Sequence, residues 1–456
     1  MNIDHHIFRA YDIRGVVETA LKPEVAGLVG QALGTLYPNS KTVVVARDGR
    51  SSSRQLVENL SQGLQASGCD VIDIGQVPTP VLYYATHKLE TGAGVMVTGS
   101  HNPPEYNGLK MLMDGKTLYG NNIQDIYQCI VNNKLKTGTG NIRKENLLDT
   151  YISRICDDVK LSRPLRIGVD CGNGVAGPAA LTLFKRLGCE IFDLYCDVDG
   201  SFPNHHPNPS DAKNLEDLIS CVNDNKLHLG LAFDGDGDRV GVIDDQGEVL
   251  WADRQMMLYS LDVLSRKPGA KIIFDVKSSR NLAAVIEKAG GKAIMWKTGH
   301  SFIKNKMAET GAELAGEMSG HIFFKERWYG FDDALYTAAR LLEIITKQDL
   351  SSSALFATLP NSISTPEINL HFDEDGAQHE FMKKFTAVVD LPDAKITTID
   401  GIRADYENGW GLVRASNTTP SLVIRFEADD ENVIESIKND FRQQMYKTDA
   451  NIQLPF

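Results

Sequence analysis

An α/β fold built on doubly wound sheets is what this sequence predicts, and two observations carry it. From Thr42 onward, apolar runs of strand length alternate with helix-length segments, the pattern of strands joined by helical crossovers. The alternation stops after Pro360, where residues from Ser362 onward read as strands, followed by a helix from Glu431. The 456 residues exceed what one hydrophobic core usually supports, and length alone argues for roughly three domains.

Taken in order, the polar and aromatic stretch Phe8 to Gly15 leads into a helix from Pro23 to Leu36. Strand Thr42 to Ala46, helix Arg54 to Ala66, strand Val71 to Ile74, helix Pro80 to Lys88 and strand Val95 to Thr98 complete a first cycle. Lys134 to Arg143, with its Thr-Gly-Thr-Gly, reads as a surface loop near a domain boundary. A second cycle runs through strand Leu165 to Asp170, a glycine-rich turn, helix Ala179 to Leu187, strand Glu190 to Leu194, helix Asn214 to Cys221 and strand Leu229 to Phe233. Cys171-Gly-Asn-Gly-Val-Ala-Gly177 lacks the Lys-Ser/Thr of a P-loop, so tight strand-to-helix packing explains it better. Strand Lys271 to Val276, helix Asn281 to Ala289, strand Lys292 to Met295 and strand Glu313 to Ala315 form a third cycle on the same plan, too diverged in sequence to establish a repeat.

Composition narrows the function. Hydrophobic residues at 42% and charged residues at 23% are ordinary for a globular protein. A net charge of -13 and a pI near 5.4 argue against a nucleic-acid surface, which needs a basic stripe. An anionic substrate would then be drawn by a few focused cations. Seven cysteines without a Cys-x-x-Cys pair read as reduced thiols of a cytoplasmic protein. Neither a signal pattern nor an apolar run of membrane-spanning length is present, and the Asn417 sequon carries no meaning without secretion.

The chemistry is organised around Val95 to Pro103, Val-Met-Val-Thr-Gly-Ser-His-Asn-Pro. A buried-strand run stops at Thr98 and places Ser100 on an exposed loop. Ser100 is a weak nucleophile without help. A hydrolase elbow would need glycines where Thr98 and Asn102 stand, and His101, adjacent in an extended loop, points away from Ser100. By itself the segment is explained by a turn.

Asp234-Gly-Asp-Gly-Asp-Arg239, directly after the apolar run Leu229 to Phe233, changes that reading. Three crowded carboxylates repel unless a cation compensates, and hard oxygen ligands on a glycine-softened loop suit Mg²⁺ or Ca²⁺. An EF-hand fails, because Arg239 and Asp245 stand where Gly and Glu are required. A serine plus a three-Asp magnesium loop suggests phosphoryl transfer.

Other candidates cluster at loops. Arg14 before Gly15 reads as a solvated charge or a phosphate contact, the former favoured, and Lys110 as a surface lysine or a functional one. Gly316-Glu-Met-Ser-Gly-His321 offers Glu317 and Ser319 to sugar hydroxyls. His300 and His321, framed by glycine at strand ends, suit proton transfer. Arg414-Ala-Ser-Asn-Thr-Thr-Pro420 lies between apolar runs and gathers Arg414, Ser416, Asn417, Thr418 and Thr419, a set matched to a phosphate dianion. Phe202 to Pro209, with His205-His206, reads as a proline-stiffened loop.

These motifs together resemble the alpha-D-phosphohexomutase family, most closely its bacterial phosphomannomutase/phosphoglucomutase branch. The likeness extends from Phe8 to the phosphate loop, and the four motifs at 98–103, 234–239, 316–321 and 414–420 are jointly very specific. It implies three mixed α/β domains of similar topology plus a smaller α+β C-terminal domain around a central cleft, divided as 1–147, 148–248, 249–360 and 361–456. Ser100 would carry the phosphoryl group and share Mg²⁺ with Asp234, Asp236 and Asp238. Arg239 would sit against that group. Arg14, His101, Lys110, His300 and His321 would complete the catalytic set, with Tyr11, Lys277, Glu317 and Ser319 on the substrate and the 414–419 loop on its other phosphate. Where many relatives have Ala, Gly99 would only loosen the loop slightly.

The activity implied is interconversion of hexose 1-phosphate and hexose 6-phosphate, of mannose or glucose, through a bisphosphate that turns in the cleft, with glucose 1,6-bisphosphate or an equivalent as activator. The turning calls for a mobile clamp, expected of the last domain. Partners would be small hexose phosphates, with no nucleic acid and no membrane, for a monomer or weak oligomer. Met318 and Asn417 favour neutral hexoses over glucosamine. A phosphoglucosamine mutase, a magnesium-dependent phosphatase and a non-catalytic sugar-phosphate binder are the alternatives.

Overall fold

The computed structural model describes residues 3–374, 376–417 and 419–456. Three of its sheets share one core topology. In the first, Asp70–Gln76, Thr42–Arg47 and Gly94–Val97 lie side by side in parallel and Tyr106–Met113 adds an antiparallel strand. The second repeats this with Glu190–Leu194, Arg166–Asp170, Leu229–Phe233 and antiparallel Val240–Ile243. The third repeats it again with Lys292–Trp296, Lys271–Asp275, Leu314–Gly316 and antiparallel Ile322–Phe324. Strand order and sense show the repeat that the diverged sequences conceal.

The strands read as unbroken apolar runs because helices cover both faces. In the first sheet Val43 and Val45 enter one core while Val44 and Ala46 enter another. That second core continues through the other two α/β units as far as Leu359. The first three sheets are therefore joined by one contiguous apolar interior.

The fourth unit has its own core, and period-2 alternation decides which way its residues face. Along the antiparallel strands Ile402–Tyr406, Gly409–Ala415 and Ser421–Ala428, Ile402, Ala404, Val413, Leu422, Ile424 and Phe426 pack with helix Glu431–Thr448. The intervening Arg403, Trp410, Leu412 and Arg425 turn toward the third unit. Trp410 and Leu412 meet Val276 there, and Arg403 Nη1 donates to the carbonyls of Val276 and Ser278, both at 2.7 Å. Arg425 Nη1 donates to the carbonyl of Lys277 at 2.5 Å. The same alternation points Arg414 toward the cleft.

The structure corrects the reading of the C-terminal segment as strands: helix Ala377–Val388 intervenes, its Phe381, Met382 and Phe385 sharing the core face. No helix among the described residues is long and apolar enough to cross a membrane. Replacing Arg403 with Met should weaken docking of the fourth unit by about 2 kcal/mol, since two buried carbonyls lose their donor. Amide exchange is expected to accelerate selectively at residues 276–278 and 402–428; an unchanged pattern counts against this role.

Candidate active site

The site forms where loops at the strand ends of all four units meet, around a cavity of about 260 Å³. The loop that carries Ser100 follows strand Gly94–Val97. Ser100 adopts a left-handed backbone, φ 50°, an uncommon state for a non-glycine residue that surrounding contacts must sustain. Its N–H donates to Thr98 Oγ1 at 2.8 Å. Two expectations are corrected here. Ser100 is only 4% exposed, because the cleft walls cover the loop. His101 Nδ1 lies 3.3 Å from Ser100 Oγ, since the left-handed turn swings neighbouring side chains together where an extended loop would part them.

The acidic loop comes from the second sheet, directly after strand Leu229–Phe233. Asp234, Asp236 and Asp238 are fully buried. Asp234 Oδ1 accepts the N–H groups of Gly237, Asp238 and Arg239 at 3.0, 3.1 and 3.1 Å. Its Oδ2 accepts from Ser100 Oγ at 3.0 Å and from Arg239 Nε at 2.9 Å. Gly235 allows this closeness, since a Cβ there would stand 2.4 Å from the Ser100 carbonyl oxygen. Asp236 Oδ2 accepts from Thr79 Oγ1 at 2.5 Å and from Lys110 Nζ at 2.7 Å, while Asp238 Oδ2 accepts from Lys110 at 2.5 Å.

Lys110 is thus no surface lysine: it is 4% exposed on strand Tyr106–Met113, between two carboxylates. Burial opposes its charge, but Asp236 and Asp238 hold its pKa well above the ordinary value. Burial pushes the Asp234 carboxyl up to about 6. At Asp238 burial acts the same way, but Lys110 and His321 outweigh it and hold that carboxyl well below the usual range. Asp236 Oδ1 and Asp238 Oδ1 are buried without a hydrogen-bond donor, and one oxygen of each of the three aspartates lies within 4.8 Å of the others. Orphaned hard oxygens in a carboxylate trio fit a divalent cation.

The third unit contributes two histidines with opposite leanings. His300 does not end a strand; it begins helix His300–Thr310. Burial and the neighbouring Lys304 lower its pKa, and its Nδ1 lies 3.3 Å from Asp332 while its Nε2 is buried without a partner. The rings of His300 and His321 stack with centroids 5.6 Å apart. His321 Nε2 lies 3.3 Å from Asp238 Oδ1 and its Nδ1 3.1 Å from Glu317 Oε2. Burial works against the imidazolium, but Asp238 and Glu317 raise its pKa to about 9. Ser319 Oγ lies 2.9 Å from the same Nδ1, and Glu317 also accepts the Gly299 N–H.

Arg14 lies on strand Ile13–Val16, donating to Asn102 Oδ1 at 2.9 Å and to Asp12 at 2.5 Å. This corrects its reading as a solvated charge. Tyr11, its hydroxyl pKa pushed up to about 12 by burial and by Asp12, packs edge-on against His300. Lys277 pairs with Glu367 of the fourth unit at 2.6 Å, and burial of its ammonium is outweighed by Glu367 and Asp275. Arg414 pairs with Asp400 at 3.0 Å. Ser416 Oγ accepts from Thr419 Oγ1 at 3.0 Å, and Asn417 also lines the cavity. Thr418 lies outside the described residues.

Several lining or bracing residues escaped sequence reasoning. Asn208, which accepts from Arg239 Nη1 at 3.2 Å, and Ser210 face the cavity from the proline-stiffened loop. Thr79, Lys304, Asp332 and Glu367 brace the aspartates, His300 and Lys277, and none sits in a motif that marks it. Asp48 and Arg50, in Arg-Asp-Gly-Arg at the end of strand Thr42–Arg47, were equally unmarked.

Four family models match in succession: phosphoglucomutase/phosphomannomutase alpha/beta/alpha domain I over residues 5–137, domain II over 149–247, domain III over 251–363 and the C-terminal domain over 367–444. A phosphomannomutase/phosphoglucomutase of Pseudomonas putida is 54% identical over 452 residues, covering 99% of this chain and 97% of its own. A phosphoglucomutase of Neisseria meningitidis serogroup A is 49% identical, with 97% of each chain covered. A crystal structure of a phosphoglucomutase/phosphomannomutase family protein from Burkholderia thailandensis superposes with a TM-score of 0.94 at 48% identity, covering 100% of both chains.

The geometry sets a pH signature. The His321 value in the folded chain, about 9, stands above the ordinary 6.5, so its contribution to stability is complete below 6.5 and is lost as pH rises through 9. In chelator-treated protein the His321 imidazole should titrate near 9 by NMR, and His321→Gln should flatten the fall in stability across that window. Titration at the ordinary value would refute the Asp238–His321–Glu317 arrangement.

Proposed function

We propose a reaction cycle for this chain, which belongs to the phosphoglucomutase/phosphomannomutase family of α-D-phosphohexomutases and is a mutase interconverting hexose 1-phosphate and hexose 6-phosphate. The cycle starts from Ser100 carrying the phosphoryl group. A sugar monophosphate enters with its own phosphate on Arg414, Ser416, Asn417, Thr418 and Thr419, and with hydroxyls on Glu317 and Ser319. Its free hydroxyl oxygen attacks the phosphorus, the bond from phosphorus to Ser100 Oγ breaks, and Oγ keeps the electron pair. Neutral His300, its free Nε2 buried at the cavity, takes the hydroxyl proton. Arg239 and Lys110 offset the charge spread over the transferring oxygens.

The bisphosphate then turns end for end, and its other phosphate reaches Ser100. Oγ attacks that phosphorus, and the sugar oxygen leaves with its electron pair and recovers a proton, restoring the phosphoserine. Mg²⁺ held by Asp234, Asp236, Asp238 and a phosphoserine oxygen would neutralise developing charge on the leaving oxygen. Glucose 1,6-bisphosphate or an equivalent recharges a serine that has lost its phosphate. A fourth unit with a core of its own, docked through Arg403, Trp410 and Arg425, supports its role as the clamp that opens for the turn.

The division of labour assigns 1–147 to the serine loop, 148–248 to the metal, 249–360 to the sugar and 361–456 to the distal phosphate. The enzyme is expected to act on small sugar phosphates in the cytoplasm as a monomer or weak oligomer, without nucleic acid.

One observation carries this reading: Ser100 Oγ, 3.0 Å from Asp234 of the buried trio, opens onto the same cavity as the Arg414 loop. The test is a rate comparison on mannose, glucose and glucosamine phosphates with a catalytic trace of glucose 1,6-bisphosphate. Isomerised mannose and glucose phosphates are expected, with Ser100→Ala losing about 10³-fold or more. Steady release of inorganic phosphate in place of isomer, or full activity of Ser100→Ala, would refute it.

A further inference from the structure

Ser100 sits in a backbone state that its own loop does not explain, and the buried side chain of Arg50 does. Arg50 belongs to no recognised motif, is 2% exposed, and does not line the cavity. Its guanidinium nevertheless ends on the loop that carries Ser100. Nη2 donates to the carbonyls of Ser100 at 2.8 Å and Asn102 at 2.6 Å, and Nη1 to those of Pro103 at 2.6 Å and Tyr106 at 3.0 Å. Nε donates to Asp48 Oδ2 at 3.2 Å. All five N–H bonds of the guanidinium are therefore engaged, which a lysine's three donors cannot match.

Asp48 extends the brace to the residues before Ser100. It accepts from Thr98 Oγ1 at 2.8 Å and from the Gly99 N–H at 3.1 Å, and Thr98 in turn receives the Ser100 N–H. The second unit closes over the guanidinium with the Phe202 ring, centroid at 5.0 Å. Phe202 opens the loop that delivers Asn208 to Arg239. A Cβ on Gly99 would lie 2.5 Å from the guanidinium carbon, so an alanine there must displace a clamped group. That corrects the expectation of a mere loosening.

We propose that Arg50 is a positioning residue for phosphoryl transfer: with Asp48 and Phe202 it holds Ser100 in its left-handed turn, so that Oγ meets the acidic trio of the neighbouring unit. The proposal rests on the phosphotransfer reading above. Arg50 touches neither the cavity nor the distal phosphate loop, so its loss affects transfer more than binding. A misplacement of the nucleophile by a fraction of an ångström slows both half-reactions alike. It also gives the bisphosphate more time to escape before its second transfer.

The test compares the parent, Arg50→Lys and Phe202→Leu by thermal melting, steady-state kinetics on glucose 1-phosphate, and single-turnover labelling of Ser100 from radiolabelled glucose 1,6-bisphosphate. Arg50→Lys is expected to slow labelling and kcat by about tenfold or more, with KM within about twofold and more bisphosphate released per turnover. Phe202→Leu, which leaves all five hydrogen bonds in place, should lose about threefold in the same two rates at parental KM. Parental labelling rates in a folded Arg50→Lys would overturn the proposal, as would losses confined to KM. Should Arg50→Lys fail to fold, Phe202→Leu decides: a parental labelling rate overturns the clamp, and the expected loss at parental KM supports it. Absence of label on Ser100 in the parent would instead strike the functional reading itself.

Discussion

Burying three carboxylates within a few ångströms of one another is the constraint on which the rest of this molecule depends. Alone, Asp234, Asp236 and Asp238 would repel one another. The fold answers with charges drawn from separate units: Lys110 from the first between two of them, Arg239 from their own loop on the third, His321 from the third unit beyond. Asp236 Oδ1 remains without a donor, and Asp238 Oδ1 faces only His321 Nε2 at 3.3 Å. The residual demand is for a cation, and the hydroxyls of Ser100 and Thr79 are both placed in this field. Position and reactivity thus follow from one electrostatic imbalance.

Holding such a field requires a frame that does not yield. The first three units supply it through a shared apolar core running from Val44 to Leu359, on which the serine loop, the aspartates and the histidines are all mounted. The fourth unit differs. Its core is separate, and it meets the third through a small apolar patch and two buried arginines that grip the carbonyls of residues 276–278. Lys277 stands in that gripped turn and pairs with Glu367. Seating of the fourth unit and placement of the Lys277 ammonium at the cavity are therefore linked.

The motifs were legible because their chemistry is local. Glycines alternating with aspartates, or hydroxyls crowded beside Arg414, announce a ligand within six or seven residues. Strand and helix spans were legible too, since runs such as Val43-Val44-Val45 allow little else when both faces are covered. What stayed hidden has its cause at long range. Arg50 lies fifty residues before Ser100, Thr79 reaches Asp236 from the start of a helix, and Asp332 orients His300 from another segment. The backbone turn at Ser100 also reversed the expected relation to His101, because a positive φ cannot be read from residue types that usually avoid it.

By itself, then, the amino-acid order determined which groups were available: the Ser100 hydroxyl, a hard-oxygen trio, an acid and a hydroxyl at Glu317 and Ser319 and a cluster of polar groups beside Arg414, with the α/β alternation that would present them at strand ends. Only tertiary packing decided their state. Whether Lys110 was solvated or locked between carboxylates, whether His300 and His321 would be neutral or charged, and what would hold Ser100 in place all depended on distances across units. Charge and proton affinity are properties of surroundings, and the surroundings here come from four separate stretches of chain.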